Sequence, residues 1–184
     1  MLMDPFDDTT NLMAFLLLLA RIGDVGSTYL ATPTLKLETN PIARRFKWPF
    51  AVLTLFAAAI PYYSLPLGVC ILVGSLLVSA SNLSGIWLVR AMGECEYHKL
   101  IVRLAGQTRV STALVFIAGQ AICIAAIGLL LLPIPPIADG PLSSYVPFGF
   151  FAYAFAIILW QSLAFLRLHR LGNTDQQQLQ LHSK

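Results

Sequence analysis

The chain is dominated by apolar runs whose length dictates their solvent. Asn11 to Ala31, Phe46 to Arg90, Val110 to Leu132 and Pro147 to Leu166 each reach or exceed the ~20 residues that a helix needs to cross a bilayer core. Backbone amides find no water partners in lipid, so runs of this kind must be helical. Charged residues make up 11% of the chain and hydrophobic ones 57%, where a soluble domain carries roughly a quarter charged. The expected fold is therefore all-α, an integral membrane bundle with the lipid bilayer as its first partner.

Proline sets the boundaries. The run from Phe46 to Arg90 is too long for one crossing and is interrupted by Pro61 and Pro66 around Tyr62-Tyr63-Ser64-Leu65, so it reads as a helical hairpin. Pro133-Ile134-Pro135-Pro136 ends the run after it, and Pro147 opens the last. The result is one membrane domain, 11–167, with about five transmembrane helices: 11–31, 46–63, 67–90, 110–132 and 147–166. An acidic leader, 1–10, precedes it, and a polar tail, 168–184, follows it without an apolar face, which predicts a frayed end. The leader lacks the positive charge of a cleaved signal peptide, so the first helix is expected to be retained.

Basic residues fix the expected orientation. Lys36, Arg44, Arg45 and Lys47, then Arg90, Lys99, Arg103 and Arg109, then Arg167, Arg170 and Lys184, fall in alternate connecting segments. The intervening segments carry only acids, Asp4, Asp7, Asp8 and Asp139. Lys and Arg are retained on the cytoplasmic side, which places the N-terminus outside and the C-terminus inside. Trp48 and Trp87 fall at one interface and Tyr62, Tyr63, Tyr145 and Phe148 at the other, as interfacial aromatics do. Cys70 and Cys123 sit in apolar runs and Cys95 in a basic loop, so all three are read as free thiols.

Small residues mark where such helices meet. Ala118, Ala121, Ala125 and Gly128 form a stripe in the fourth predicted helix, Gly23 and Gly26 lie in the first, and Ser75, Ser79, Ser81 and Gly85 in the third; bundle packing accounts for all of them. The loop Ala91 to Arg109 contains Glu94-Cys95-Glu96-Tyr97-His98, whose spacing matches no closed zinc pattern. It reads as an interfacial helix, with Leu100, Ile101 and Leu104 toward the membrane and Lys99 and Arg103 snorkelling.

The polar residues inside the apolar runs are the sharpest signal. Arg21 and Asp24 lie three apart and can form an intrahelical ion pair, and Thr28 follows Asp24 by one turn on the same face. Counted at ~1.5 Å per residue, Asp24 lies ~10 Å from the end of its helix, Asn82 ~12 Å and Gln161 ~9 Å. Three helices would thus present hydrogen-bonding groups in one layer of the inner leaflet. Just beyond it, Asn40 is placed to cap a helix that opens with Pro41, which leaves Glu38 without a local explanation.

Asp24-Val25-Gly26-Ser27-Thr28 followed by Glu38-Thr39-Asn40-Pro41 resembles the pattern Asp-x3-Thr then Glu-x-Asn-Pro of a family of small prokaryotic multi-pass membrane proteins of unknown function. The resemblance covers about the first 50 residues. It implies location in the cytoplasmic membrane of a prokaryote, draws attention to Asp24, Thr28, Glu38, Asn40 and Pro41, and carries no activity with it.

The expected function is accordingly a non-enzymatic membrane component, a subunit or scaffold held to itself or to another membrane protein by its inner-leaflet polar cluster. The alternative is a small transporter or channel-like protein that binds a cation, a proton or a small polar solute at Asp24, with Glu38, Asn40 and Asn82. A membrane-embedded enzyme has less support. His98, His169 and His182 all lie in cytoplasmic segments, one intramembrane Asp does not make an aspartyl dyad, and no catalytic or phosphate-binding motif occurs. No cofactor, metal or nucleic-acid partner is implied.

Overall fold

The computed structural model describes residues 8–35, 37–38, 40–132 and 143–182, with side chains as far as Thr174. It is an all-α bundle, with six α-helices among the described residues: α1 (Asp8–Ala31), α2 (Pro41–Leu53), α3 (Leu65–Met92), α4 (Glu94–Gln107), α5 (Val110–Leu131) and α6 (Val146–His182). A 3-10 segment, Thr54–Tyr62, continues α2, and a 3-10 turn, Ser143–Tyr145, precedes α6. Asp8–Ala31, Leu65–Met92, Val110–Leu131 and Val146–Thr174 are each long and apolar enough to cross a membrane. Most of their large apolar side chains point outward, Phe116 and Leu130 among them, as in a protein whose solvent is lipid. The acidic leader as far as Asp7 and the proline-rich loop 133–142 lie outside the described residues.

The second predicted helix takes an unexpected form. Pro49 cannot donate to the carbonyl four residues back and its ring crowds that carbonyl, so the helix breaks just before it. Lys47 absorbs the break at φ 56°, ψ −149°, a backbone region that side chains rarely occupy. Beyond Leu53 the chain tightens into the nine residues of 3-10 helix that end at Pro61 and Tyr62. The 3-10 part of this composite packs on α1, and the stretch from Trp48 to Tyr62 runs antiparallel to it. Trp48 packs edge-on against Tyr29, ring centroids 5.3 Å apart, and donates to Pro33 O at 3.1 Å, while Tyr62 Oη donates to Asn11 Oδ1 at 2.8 Å. From Asn11 to Tyr29 α1 covers about 27 Å. The stretch from Trp48 to Tyr62 covers about the same, because each 3-10 residue rises ~2.0 Å rather than ~1.5 Å.

Helix α3 is the hub, packed on α1, α4 and α6. Met13 of α1 buries itself against Leu65 and Val69 of α3. Helix α5 packs on α6 through the small-residue stripe: Ala121 joins Ala154 and Ile157 in a buried cluster flanked by Ala125. A Cβ on Gly128 would come within 3.0 Å of Pro147 O. Gly93, at φ 80°, turns the corner from α3 into α4. Gly26, by contrast, faces open space and is no contact point.

Two expectations are corrected. The tail beyond Arg167 is not frayed, for α6 continues to His182. Its Gln and Leu residues are good helix formers, and its start is anchored where Gly172 meets α4 so closely that a Cβ would lie 2.5 Å from Val102 O. His169 Nδ1 lies 2.7 Å from Ala105 O at the same contact. Helix α4 forms as expected for 94–104, but its inward face differs. Val102 and Ala105 are buried against α6, while Ile101 and Leu104, the latter still half exposed, border a cavity.

Candidate functional site

The cavity lies at the end of the bundle that carries the basic segments and has a volume of about 530 Å³. Four helices supply most of its wall: α1 through Thr28 and Ala31, α3 through Asn82 and Gly85, α4 through Tyr97 and His98, and α6 through Gln161 and Arg167. The loop after α1 closes one side with Leu37 and Glu38.

Thr28 of α1, Asn82 of α3 and Gln161 of α6 reach this cavity from three helices, although they stand at quite different distances from the ends of those helices: three, ten and 21 residues from Ala31, Met92 and His182. Asn82 Nδ2 donates to Thr28 Oγ1 at 2.9 Å and lies 3.2 Å from Ser27 Oγ. That pair ties α3 to α1 and directs the Asn82 amide at the cavity edge. Gln161 faces the same space and forms no side-chain hydrogen bond among the described residues.

Asp24 does not share the cavity wall. One turn deeper, it is 9% exposed and its Oδ2 accepts from Arg21 Nη1 at 2.5 Å. The same nitrogen lies 3.3 Å from Ser75 Oγ of α3, and Ser27 Oγ donates to Asp24 O at 2.9 Å. The ion pair that the three-residue spacing allowed is thus formed and also touches α3. Arg21 Nε is buried without a hydrogen-bond partner among the described residues. The polar layer therefore divides in two, a closed knot at Arg21, Asp24 and Ser75 and an open layer at Thr28, Asn82 and Gln161.

Glu38 borders the cavity, and its Oε1 accepts from Asn40 N at 2.8 Å. Asn40 itself has the role its sequence gives it: Oδ1 accepts from Ile42 N at 2.9 Å, capping α2 with Pro41 at its start. It lies outside the cavity wall, so of the two only Glu38 belongs to the candidate site. Glu38 also acts electrostatically on Asp24, which relates the loop to the deeper knot.

Glu94 was legible only as an acid in a helical loop, yet it holds the cavity floor. Its carboxylate accepts from Thr32 Oγ1 at 2.5 Å and from Thr34 N at 3.1 Å, while Thr32 Oγ1 accepts from Leu37 N at 3.2 Å. The start of α4 is thereby latched to the loop that carries Glu38. No sequence signal links residues so far apart. On the opposite face of α4, Lys99 donates to Glu96 at 2.8 Å, which raises the Lys99 ammonium above the ordinary lysine range. That pair is fully exposed and belongs to the surface.

Among the described residues no group of three or more His, Cys, Asp or Glu is placed to hold a metal ion, and the three cysteines are free thiols. The arrangement defines a helical membrane protein with a mostly apolar cavity edged by a few hydrogen-bonding groups, the usual make-up of a small-molecule site. Comparison with protein-family models, curated proteins and solved structures gives no match.

Proposed function

We propose that this is a multi-pass protein of the prokaryotic cytoplasmic membrane, with five crossings and its C-terminus inside, that binds a small molecule in the cavity at its cytoplasmic end. The observation that carries this reading is the convergence of Thr28, Asn82 and Gln161, from three helices, on one cavity of about 530 Å³. That volume falls within the ~300–1,000 Å³ typical of ligand pockets. Polar groups at membrane depth are costly unless paired or used, and Gln161 has no side-chain partner among the described residues. The stretch from Trp48 to Tyr62, which meets α1 at Tyr29 and again at Asn11, supports the fifth crossing, and the alternation of basic segments supports the orientation.

Binding is the role this supports, in a transporter, a receptor or a carrier subunit. The site differs from the one expected around Asp24, since Asp24 is neutralised by Arg21. The reading is tested by whether the purified protein retains a small molecule that a Gly85→Leu variant loses.

A scaffold role has its own observation. The Arg21–Asp24–Ser75 knot consumes the strongest polar groups of α1 in helix packing, as expected of a subunit that holds its own bundle, a second copy or another membrane protein together.

A further inference from the structure

The charged groups around the cavity are unequally engaged. On the acidic side both carboxylates are already met by the protein: Glu38 accepts from Asn40 N, and Glu94 from Thr32 and Thr34. On the basic side Arg167 and His98 border the cavity, each half-buried, and neither forms a hydrogen bond or ion pair among the described residues. A half-buried guanidinium with no counter-charge favours an anion.

Away from these groups, and apart from the polar side chains of Thr28, Asn82 and Gln161, most of the wall is apolar, with Ala31, Gly85, Ile101, Ile117, Ala164 and Phe165 supplying much of it. The cavity is also incompletely fenced. Helices α1 and α6 both pack on α3 but make little contact with each other, which leaves a gap on the lipid side above the floor formed by α4 and the 32–38 loop. Polar head positions near the cytoplasmic rim, an apolar interior and a side open to lipid are the three features that a molecule from the leaflet needs.

Resting on the binding role proposed above, we infer that the cavity takes a single-chain amphiphile with an anionic head, a carboxylate or a phosphate. The head meets Arg167 and His98, with the Gln161 amide as a further donor. The tail lies against α3 and α6, and entry is from the inner leaflet between α1 and α6.

The test is photo-crosslinking of a diazirine-bearing fatty acid to the full chain in lipid nanodiscs, with the labelled peptides mapped by mass spectrometry. Competitors of matched chain length carry a carboxylate, a phosphate, a neutral sugar or a trimethylammonium head, and inorganic phosphate is tested alone. Adducts are expected on cavity residues of α4 and α6, competed by the two anionic amphiphiles. Arg167→Gln should weaken labelling at least about tenfold, the size of one charge-assisted hydrogen bond. Gly85→Leu should remove it. A Cβ at Gly85 meets nothing within 4 Å, so the added side chain starts into open space, and circular dichroism with thermal unfolding of the variant checks that the bundle is retained. Equal competition by neutral or cationic heads, or no effect of Arg167→Gln, overturns the anionic head and leaves the binding role standing. Competition by inorganic phosphate alone overturns the need for a tail. Labelling confined to outward faces and indifferent to Gly85→Leu overturns both the inference and the binding role.

Discussion

Asn82 Nδ2 donates to Thr28 Oγ1 across 2.9 Å, and this one contact both ties α3 to α1 and marks the rim of the cavity. Interhelical hydrogen bonds in membranes contribute on average ~0.6 kcal/mol and at most ~1.7 kcal/mol. Asn82→Leu is therefore expected to lower stability by about that much, measured by denaturant unfolding in bicelles, and to leave the bundle assembled. A loss far above that range would show that Asn82 holds more than Ser27 and Thr28.

The Arg21–Asp24 pair behaves differently, because removing one member strands a buried charge. Arg21→Leu is expected to cost about 3–5 kcal/mol, while the double variant Arg21→Leu with Asp24→Leu recovers most of the loss. A double-mutant cycle in bicelles measures the coupling. If the two single substitutions simply add, the pair is not the organising contact of α1.

Glycine substitutions report on the close approaches. Gly172→Ala places a Cβ 2.5 Å from Val102 O, and forcing that contact apart is expected to cost about 1–3 kcal/mol. It should also release the α4 floor, which limited proteolysis detects. Gly26→Ala meets nothing within 4 Å and is expected to stabilise by up to about 1 kcal/mol through helix propensity. Thermal unfolding of the two variants should move in opposite directions.

The fifth crossing is tested by labelling. Tyr63 is 80% exposed at the turn after the 3-10 segment, at the end of the bundle opposite Cys95. In a background whose three native cysteines are replaced, Tyr63→Cys should react with an impermeant maleimide from one face of a sealed vesicle and Arg45→Cys, an exposed position before the composite segment, from the other. Reaction of both from the same face would mean that the composite helix returns without crossing.

Much of this architecture is legible in the residues because lipid leaves the backbone so few choices. The lengths of the apolar runs set the helices, Pro61 and Pro66 set the hairpin, Asn40 and Pro41 set the start of α2, and the Ala121 to Gly128 stripe sets the α5–α6 contact. The break at Lys47 has its cause in Pro49 and was there to be read. The 3-10 segment after it was not, since composition does not distinguish two helical rises in an apolar run.

The site was legible as a layer and not as a cavity. Counting residues from helix ends brings Asn82 and Gln161 to the level of Asp24, but depth carries no information about facing. That is why Asp24, the most conspicuous residue, turns to Arg21 and Ser75 while Thr28, one turn away, faces the open space. The latch from Glu94 to Thr32 joins positions 62 apart, and only the packing of α4 under α1 and α3 brings them together. The extension of α6 past Arg167 was missed because a polar composition was read as a lack of structure, when the contact of Gly172 with α4 needs no apolar face.

The central claim is that the cavity between α1, α3, α4 and α6 is occupied by a ligand, and native mass spectrometry of the protein released from nanodiscs tests it most directly. The wild-type chain is predicted to carry one bound small molecule that the Gly85→Leu chain, once shown by circular dichroism to be folded, does not. Spectra in which both chains are bare, or in which both carry the same adducts, would contradict the claim and leave the polar layer as packing.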